Sequence, residues 1–408
     1  PTHVKLFAAV VVFVAVLLAP ANEGLSPEGQ RVLAVVGFSI VLWTTEAVPM
    51  AVAGLAAVVL LVVVGAVPDV SAALYGFSRP VAYFLIGVLA IGLAVLKTGL
   101  AERLARYLVT RSRGSTAALF AQMCFSFAAL AFILPSAITR GGILIPVYEQ
   151  ILGMLNVGKG APLAKALMLG LTALNRLGSN ALLTGGVTPV AAAALLGGVS
   201  WSRWFAFMSV PQYLLLLFGG MLVYLLHQPG PQNWPETGLE RAEVGKPRQG
   251  FSANEVKVAA IAGGASLLWL ADFIHHWDPA IPALMALVVL LSPGIGVLSW
   301  REFERDIGWS TFVVLGSSLS LAQALVTSGA AAWFAQGLVA ALAPFTSSPL
   351  LIAAFLMVVA CAVRTVVPNI AAFLALLLPV SMALAVQVGL NPFVVGMLIT
   401  ATGDAIVY

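Results

Sequence analysis

Charge is scarce in this chain: 9% of its 408 residues are Asp, Glu, Lys or Arg, against roughly 25% in a soluble domain. With 61% hydrophobic residues and a mean hydropathy of +1.03, the chain cannot cover a single core with hydrated surface, and a bilayer-embedded protein is the class that fits. Histidine and cysteine are scarce too, at four and two. Cys124 and Cys361 lie in apolar stretches without ligand spacing and read as small core residues. His275–His276, beside Asp272 and Asp278, reads as a solvated loop rather than a metal site. The sequence has no phosphate-cradling Gly-Lys-Ser/Thr loop, which argues against ATP drive. It has neither a Ser/His/Asp nor a His-Glu-x-x-His constellation, which argues against an intramembrane hydrolase. The net charge of +4 is modest and its location matters more than its size; the basic run Arg103–Arg113 suits a lipid surface rather than a nucleic-acid patch.

What is abundant is apolar sequence in blocks, from 5–20 through to 391–408. Several are shorter than the roughly 20 residues a spanning helix needs, so about eleven transmembrane segments plus broken or re-entrant pieces are expected. No small-residue cleavage site follows the first block, so it does not read as a signal peptide. The chain begins without Met and stops inside an apolar block at Tyr408, so trimming at both ends is expected.

The blocks repeat. "PMAVAGLAAVVLLVVVGAVP" from Pro49 resembles "PAIPALMALVVLLSPGIGVL" from Pro279, 230 residues on. "KTGLAERLARYL" from Lys97 matches "TSGAAAWFAQGL" from Thr327 at the same offset. "PSAITRGGILIPV" from Pro135 parallels "PNIAAFLALLLPV" from Pro368, and "LGSNALL" (177–183) more weakly parallels "TGDAIVY" (402–408). The fold class is therefore an all-α polytopic membrane protein with inverted structural repeats and two re-entrant helical hairpins. Its parts are an extra N-terminal transmembrane segment (1–30), a first repeat (31–227), a polar cytoplasmic linker (228–252) and a second repeat (253–408). Lys97, Arg103, Arg106, Arg111 and Arg113 mark a cytoplasmic face, whereas the matching 327–342 carries no charge and falls outside. That places the N-terminus in the cytoplasm of a cell inner (plasma) membrane. Inverted repeats of this kind mark secondary transporters. The run Arg103–Arg113 reads as a basic amphipathic helix on the lipid surface.

In such folds binding sites form where helices break near the midplane, because freed backbone groups and half-helix dipoles can hold ions. Pro135, Gly141, Gly142 and Pro146 suggest one hairpin break, and Pro368 and Pro379 a second. The stretches 175–189 and 399–408 read as interrupted helices. The charges in these places are Arg140, Arg176, Arg364 and Asp404. Each buried arginine costs on the order of 2.5–3.5 kcal/mol on insertion scales. Three positives against one negative suit a small anion, and the guanidinium fork suits a carboxylate or sulfate. Ser136, Thr139, Ser179, Asn180, Thr184, Asn369 and Thr402 add neutral donors, although each hydroxyl alone would bond back to its own helix. Glu46, in "WTTEAVP", reads as a cap or ion pair.

Over nearly the whole chain these residues resemble the divalent anion:sodium symporter (DASS) family of dicarboxylate, citrate and sulfate transporters. "WTTEAVPMAVAGL" is similar to the family's Trp-x-Thr-Glu-Ala-x-Pro segment. "FLIGVLAIGLAVLKTGLAERLA" is similar to its helix ending in Thr-Gly-Leu, and "LGSSLSLAQALVTSGAAAWFA" is the second-half equivalent. The resemblance implies an elevator-like transporter of small dianions, working as a homodimer in the lipid bilayer, with sodium as the coupling ion and no other cofactor. It further implies that hairpin tips reading Ser-Asn-Thr, with unwound stretches at 178–184 and 401–405, hold substrate and sodium. The tips depart from that pattern, reading Ser136-Ala137-Ile138 and Pro368-Asn369-Ile370. Carried over by position, the implied substrate contacts add Ala137, Ile138, Ile370 and Gly403. Gly178 joins Arg176, Arg364 and Asp404 as coupling or charge-compensating positions. The altered tips, with Arg140 and Arg176, suggest fixed positive charge in place of part of the sodium: a sodium-independent exchanger, or one coupled to protons through Asp404. Two other readings stay open. One is an ion/proton antiporter or metalloid exporter of a related inverted-repeat fold, and the other is a membrane sensor or channel.

Overall fold

The computed structural model describes residues 2–20, 23–103, 107, 115–132, 134, 137–229, 250–342, 348–367 and 369–405. Every regular element within them is a helix, as backbone groups in hydrocarbon require when no closed barrel is formed. The first series comprises α1 (Thr2–Leu17), α2 (Pro27–Thr45), α3 (Met50–Val63), the single turn α4 (Val70–Ala73) and α5 (Pro80–Thr98). It continues with α6 (Thr116–Ala131), α7 (Ala137–Met154), α8 (Pro162–Asn180), a 3-10 turn at Leu183–Gly185, α9 (Val187–Leu195) and α10 (Trp201–His227). The second comprises α11 (Ala253–Leu270), α12 (Asp272–His275), α13 (Ala280–Leu291), α14 (Trp300–Asp306) and α15 (Trp309–Thr327). It ends with α16 (Ala330–Leu342), α17 (Pro349–Val366), α18 (Ile370–Gln387) and α19 (Pro392–Ala405).

The sequence writes many of these boundaries locally. Ser26 accepts a hydrogen bond from the Gly29 amide at 2.9 Å, with Pro27 as the first residue of α2. That combination satisfies a helix start. Glu46 ends the same helix in the left-handed region (φ 50°), so it is a cap. Ser252 and Glu255 form a reciprocal capping box at α11. Gly99, after α5, and Gly329, after α15, both have φ +77°, which a side chain would strain.

Of the helices, α5, α10, α15, α17 and α18 are both long and apolar enough to cross a bilayer. α1, α3, α6, α13 and α19 are apolar but shorter. α10 leaves Leu217, Phe218, Leu222 and Leu226 more than half exposed along one flank, a lipid-facing stripe. Cys361 on α17 is also exposed. Its expected place in a core is therefore wrong: in a bilayer, an apolar stretch can face outward as readily as inward.

Small residues set the closest helix crossings. A Cβ on Gly87 of α5 would sit 2.5 Å from the Ala283 carbonyl of α13. At the corresponding crossing, one on Gly54 of α3 would sit 2.7 Å from Ser317 Oγ of α15. Close backbone approach is how helices associate without a hydrophobic drive between them. Two indole caps also correspond: Trp43 Nε1 donates to the Met50 carbonyl (3.1 Å) and Trp269 Nε1 to the Pro279 carbonyl (3.0 Å).

Each hairpin is two helices separated by a short break. α7 and α18 are both 18 residues long. α6 ends at Ala131 and α7 begins at Ala137, while α17 ends at Val366 and α18 begins at Ile370, with Val367 extended (φ −107°, ψ 90°) as expected ahead of a proline. Gly141, Gly142 and Pro146 were expected at a break but lie inside α7, and Pro379 lies inside α18. Pro135 and Pro368, the first proline of each pair, lie outside the described residues. The second is tolerated because neighbouring helices in a packed bundle can satisfy the backbone it frees.

Candidate functional site

Helix α8 carries two polar pairs at i, i+4 spacing, which puts each pair on one stripe of its surface. Asn175 and Ser179 form the first, Arg176 and Asn180 the second.

The first stripe receives Arg140 from the return arm of the first hairpin. Arg140 is fully buried. Its Nε donates to Asn175 Oδ1 at 3.0 Å and its Nη2 to Ser179 Oγ. Its Nη1 donates to the Leu134 carbonyl at the hairpin break. Asn175 Nδ2 in turn donates to the Ala137 carbonyl at 2.7 Å, so the start of α7 is fastened to α8. A buried charge needs all its donors satisfied, and neutral oxygens do so here.

The second stripe receives Asp404 from α19. Arg176 Nη2 donates to Asp404 Oδ1 at 2.9 Å, Thr188 Oγ1 to the same oxygen at 3.2 Å, and Asn180 Nδ2 to Oδ2. The Asp404 side chain is 3% exposed and that of Arg176 28%. The third arginine closes the network: Arg364, 2% exposed, donates from Nε to the Gly403 carbonyl (2.9 Å) and from Nη1 to the Val367 carbonyl (2.8 Å). Each hairpin break thus has a carbonyl held by a buried guanidinium, Leu134 by Arg140 and Val367 by Arg364.

Two glycines let the hairpins approach this closely. A Cβ on Gly178 would meet Phe127 Cβ of α6 at 2.9 Å, and one on Gly403 would overlap the Phe373 ring of α18. Residues 178–180 and 401–405 are helical, contrary to the expected unwinding. After α8 the helix breaks at 181–186, around the 3-10 turn. Thr402 and Gly403 lie on α19, where Thr402 Oγ1 bonds back to the Leu398 carbonyl at 2.9 Å. Thr184 receives Trp201 Nε1 at 3.4 Å, and Trp204 Nε1 donates to the Asn180 carbonyl at 3.0 Å. Asn369 caps α18, its Oδ1 accepting from the Ala372 amide at 2.9 Å, with Ile370 as the first residue of that helix. Ala137 begins α7. Ser136 lies outside the described residues, as do the side chains of Ile138 and Thr139. Of the basic run, Arg106, Arg111 and Arg113 lie outside them too. Arg103 pairs with Glu255 at 3.1 Å.

Sequence reasoning missed Asn175, Thr188, Trp201 and Trp204, and the i, i+4 repetition in "NRLGSN" was the available signal for Asn175. It also misread Asp272, which is 4% exposed and accepts from the Ser202 amide at 2.9 Å. Asp272 helps to cap α10 rather than sitting in a solvated loop. No group of three or more His, Cys, Asp or Glu able to hold a metal occurs among the described residues. A sodium ion at a hairpin break would draw on freed carbonyls. Among the described break carbonyls, those of Leu134 and Val367 fit that role poorly, because each accepts from a guanidinium whose positive charge opposes a cation there.

The profile of the family described as "Sodium:sulfate symporter transmembrane region" matches residues 1–406. The chain belongs to that family of membrane transporters. It is 28% identical over 358 residues to a "Membrane protein" of Cupriavidus necator, covering 82% of this chain and 69% of the relative. It is 28% identical over 342 residues to the L-tartrate/succinate antiporter of Shigella boydii, covering 78% and 66%. Similarity to the chloroplastic dicarboxylate transporter 1 of Arabidopsis thaliana is 26% over 348 residues, covering 82% and 61%. The chain thus spans about two thirds of the length of these relatives. Family membership and helical architecture together make it a multi-pass membrane transport protein.

Proposed function

We propose that the protein is a secondary transporter that exchanges small dicarboxylate-type dianions without sodium, by an elevator-like movement of the hairpin-bearing helices. The observation that carries this reading is the charge of the central network: Arg140, Arg176 and Arg364 against Asp404, a net of two positives joined through α8 and α19. A dianion neutralises that excess. Among the network's cations, Arg176 is the accessible one, with a fork suited to a carboxylate. The tartrate/succinate and dicarboxylate names of two relatives support this substrate class. Sodium independence is supported by the guanidinium groups on both hairpin carbonyls, which supply fixed charge where a coupling cation would otherwise sit. The repeated helix order supports inverted repeats meeting across the linker, with the N-terminus in the cytoplasm of the inner membrane. A homodimer follows the family pattern. The alternative of a proton or ion antiporter centred on Asp404 is weaker, because both of its carboxylate oxygens already accept from Arg176, Thr188 and Asn180.

Uptake of labelled succinate into proteoliposomes tests the reading. It should require an internal dicarboxylate and proceed equally in sodium and potassium media. Strict sodium dependence, or equal uptake into empty vesicles, overturns it.

A further inference from the structure

The helix that carries Arg176 is interrupted one turn further on, and Asp404 bridges the interruption. α8 ends at Asn180 and α9 begins at Val187. Asp404 accepts from Arg176 and Asn180 on the α8 side and from Thr188 on the α9 side. The residues between are tightly held. A Cβ on Gly185 would overlap the Ser179 carbonyl, and Trp201 and Trp204 of α10 donate to Thr184 Oγ1 and the Asn180 carbonyl. The break is a packed corner, and the carboxylate from α19 closes it.

Three donors from two helices fix the orientation of Asp404, with Arg176 and Thr188 on Oδ1 and Asn180 on Oδ2. Thr188 is free to serve because it lies in the first turn of α9. The residue four before it, Thr184, belongs to the 3-10 turn, so its hydroxyl lacks the helical carbonyl to which such side chains usually bond back. Arg176, by contrast, is only partly used. Asp404 takes one N–H of Nη2, while Nε and Nη1 donate to no group among the described residues. One two-nitrogen edge of the guanidinium is left whole, the shape that receives a carboxylate. The Arg176 side chain is 28% exposed and that of Asp404 3%, so the held edge is the buried one. Fixing a long side chain in advance removes rotamer entropy that binding would otherwise cost.

We propose that Asp404 is a positioning residue for anion recognition: anchored across the helix break by Asn180 and Thr188, it holds Arg176 with its free edge presented to one carboxylate of a dicarboxylate. The inference rests on the transporter reading for its ligand. A plain counter-charge at Asp404 would act with the opposite sign, because it would compete for Arg176 and its removal would tighten binding.

The test is binding of labelled succinate to the detergent-solubilised protein, with thermal melting of the same samples. Thr188→Val removes one anchor of Asp404 without changing any charge, and should raise Kd by about 2- to 10-fold, the range of one lost hydrogen bond. Thr188→Ser keeps the hydroxyl and should restore Kd. Asp404→Asn and Asp404→Glu, which lose the charge and the reach respectively, should both weaken binding. An unchanged Kd in Thr188→Val, whatever its melting temperature, marks a merely structural contact and overturns the proposal. Tighter binding in Asp404→Asn, the sign of a competing counter-charge, overturns it too, even where exchange proceeds normally. A Kd raised in Thr188→Val and restored in Thr188→Ser, in a protein that exchanges nothing across a vesicle membrane, supports the positioning role and sinks the transport reading instead.

Discussion

The Arg176–Asp404 pair should respond unequally to removal of its two partners. At an effective dielectric near 20, unit charges about 4 Å apart attract by about 4 kcal/mol before desolvation is counted. Here the nitrogen–oxygen distance is 2.9 Å, with side-chain exposures of 28% and 3%. Arg176→Gln strands a carboxylate that is almost wholly buried, a loss of about 3–5 kcal/mol in comparable pairs. Asp404→Asn strands an arginine that reaches solvent, and Asn can still meet Asn180 and Thr188, so about 1–2 kcal/mol is expected after discounting for screening. The double variant should recover about 1–2 kcal/mol relative to the sum of the single changes, as coupled neighbours do. Reversible unfolding in detergent micelles, followed by tryptophan fluorescence, reads all three. Trp201 and Trp204 are well placed for this, since they donate to Thr184 Oγ1 and the Asn180 carbonyl. Equal losses for the two single variants, or additivity within about 0.5 kcal/mol, would refute a pair with one buried and one hydrated end.

Two further outcomes are expected. Gly403→Ala and Gly178→Ala should each lose about 1–3 kcal/mol by overpacking against Phe373 and Phe127. Gly142→Ala, inside α7 with open space around it, should be neutral or gain up to about 1 kcal/mol. Melting in micelles separates these cases, and equal effects at all three would contradict the crossings. At the bundle end that carries α14, Lys97 holds Glu302, with help from Ser299, so the carboxyl is pulled from 4.5 down to about 2. A depressed acid contributes stability above its unfolded pKa and loses it as pH falls through the folded one. The Lys97–Glu302 contribution should therefore be constant above about pH 5 and fade between 4.5 and about 2. A Glu302→Gln variant that still showed the same acid-dependent step would assign that step elsewhere.

Where local chemistry decides, the elements were legible. Ser26-Pro27, Ser252 with Glu255, and Gly99 with Gly329 each fix a boundary through one or two residues. The hairpins were legible as places but not as geometries. Pro146 and Pro379 carry the local signature of a helix break and yet lie inside α7 and α18, absorbed by tertiary packing. Arg140 and Arg364 could be named as buried charges, but their partners could not. Leu134 and Val367 enter through backbone carbonyls, which no side-chain pattern reports. Asp272 was misread because a polar quartet beside a short helix looks the same whether it faces water or caps a helix whose first turn lies 70 residues away in sequence. Asn180 was named from the sequence, and Asn175 was within reach, since i, i+4 spacing on α8 puts it beside Ser179.

The same charge count bears on the carrier when it is empty. With no anion bound, the proposed movement would carry a net of two positive charges through the low-dielectric part of the membrane. Insertion scales put one such charge at about 2.5–3.5 kcal/mol, and water or partial screening lowers that figure. Even about 3 kcal/mol in total slows the empty step by roughly 100-fold relative to the loaded one, since each 1.36 kcal/mol is tenfold in rate. Tight exchange would then need no separate gate, because only the neutralised carrier moves readily. Arg176→Gln reduces the excess to one charge while Arg140 and Arg364 still hold both hairpin breaks. Succinate efflux into anion-free buffer should therefore rise relative to exchange in that variant, by about tenfold if one charge accounts for half of the barrier. An unchanged ratio of efflux to exchange in Arg176→Gln, with exchange itself still measurable, would show that coupling is set by a closing contact elsewhere and not by the net charge of the network.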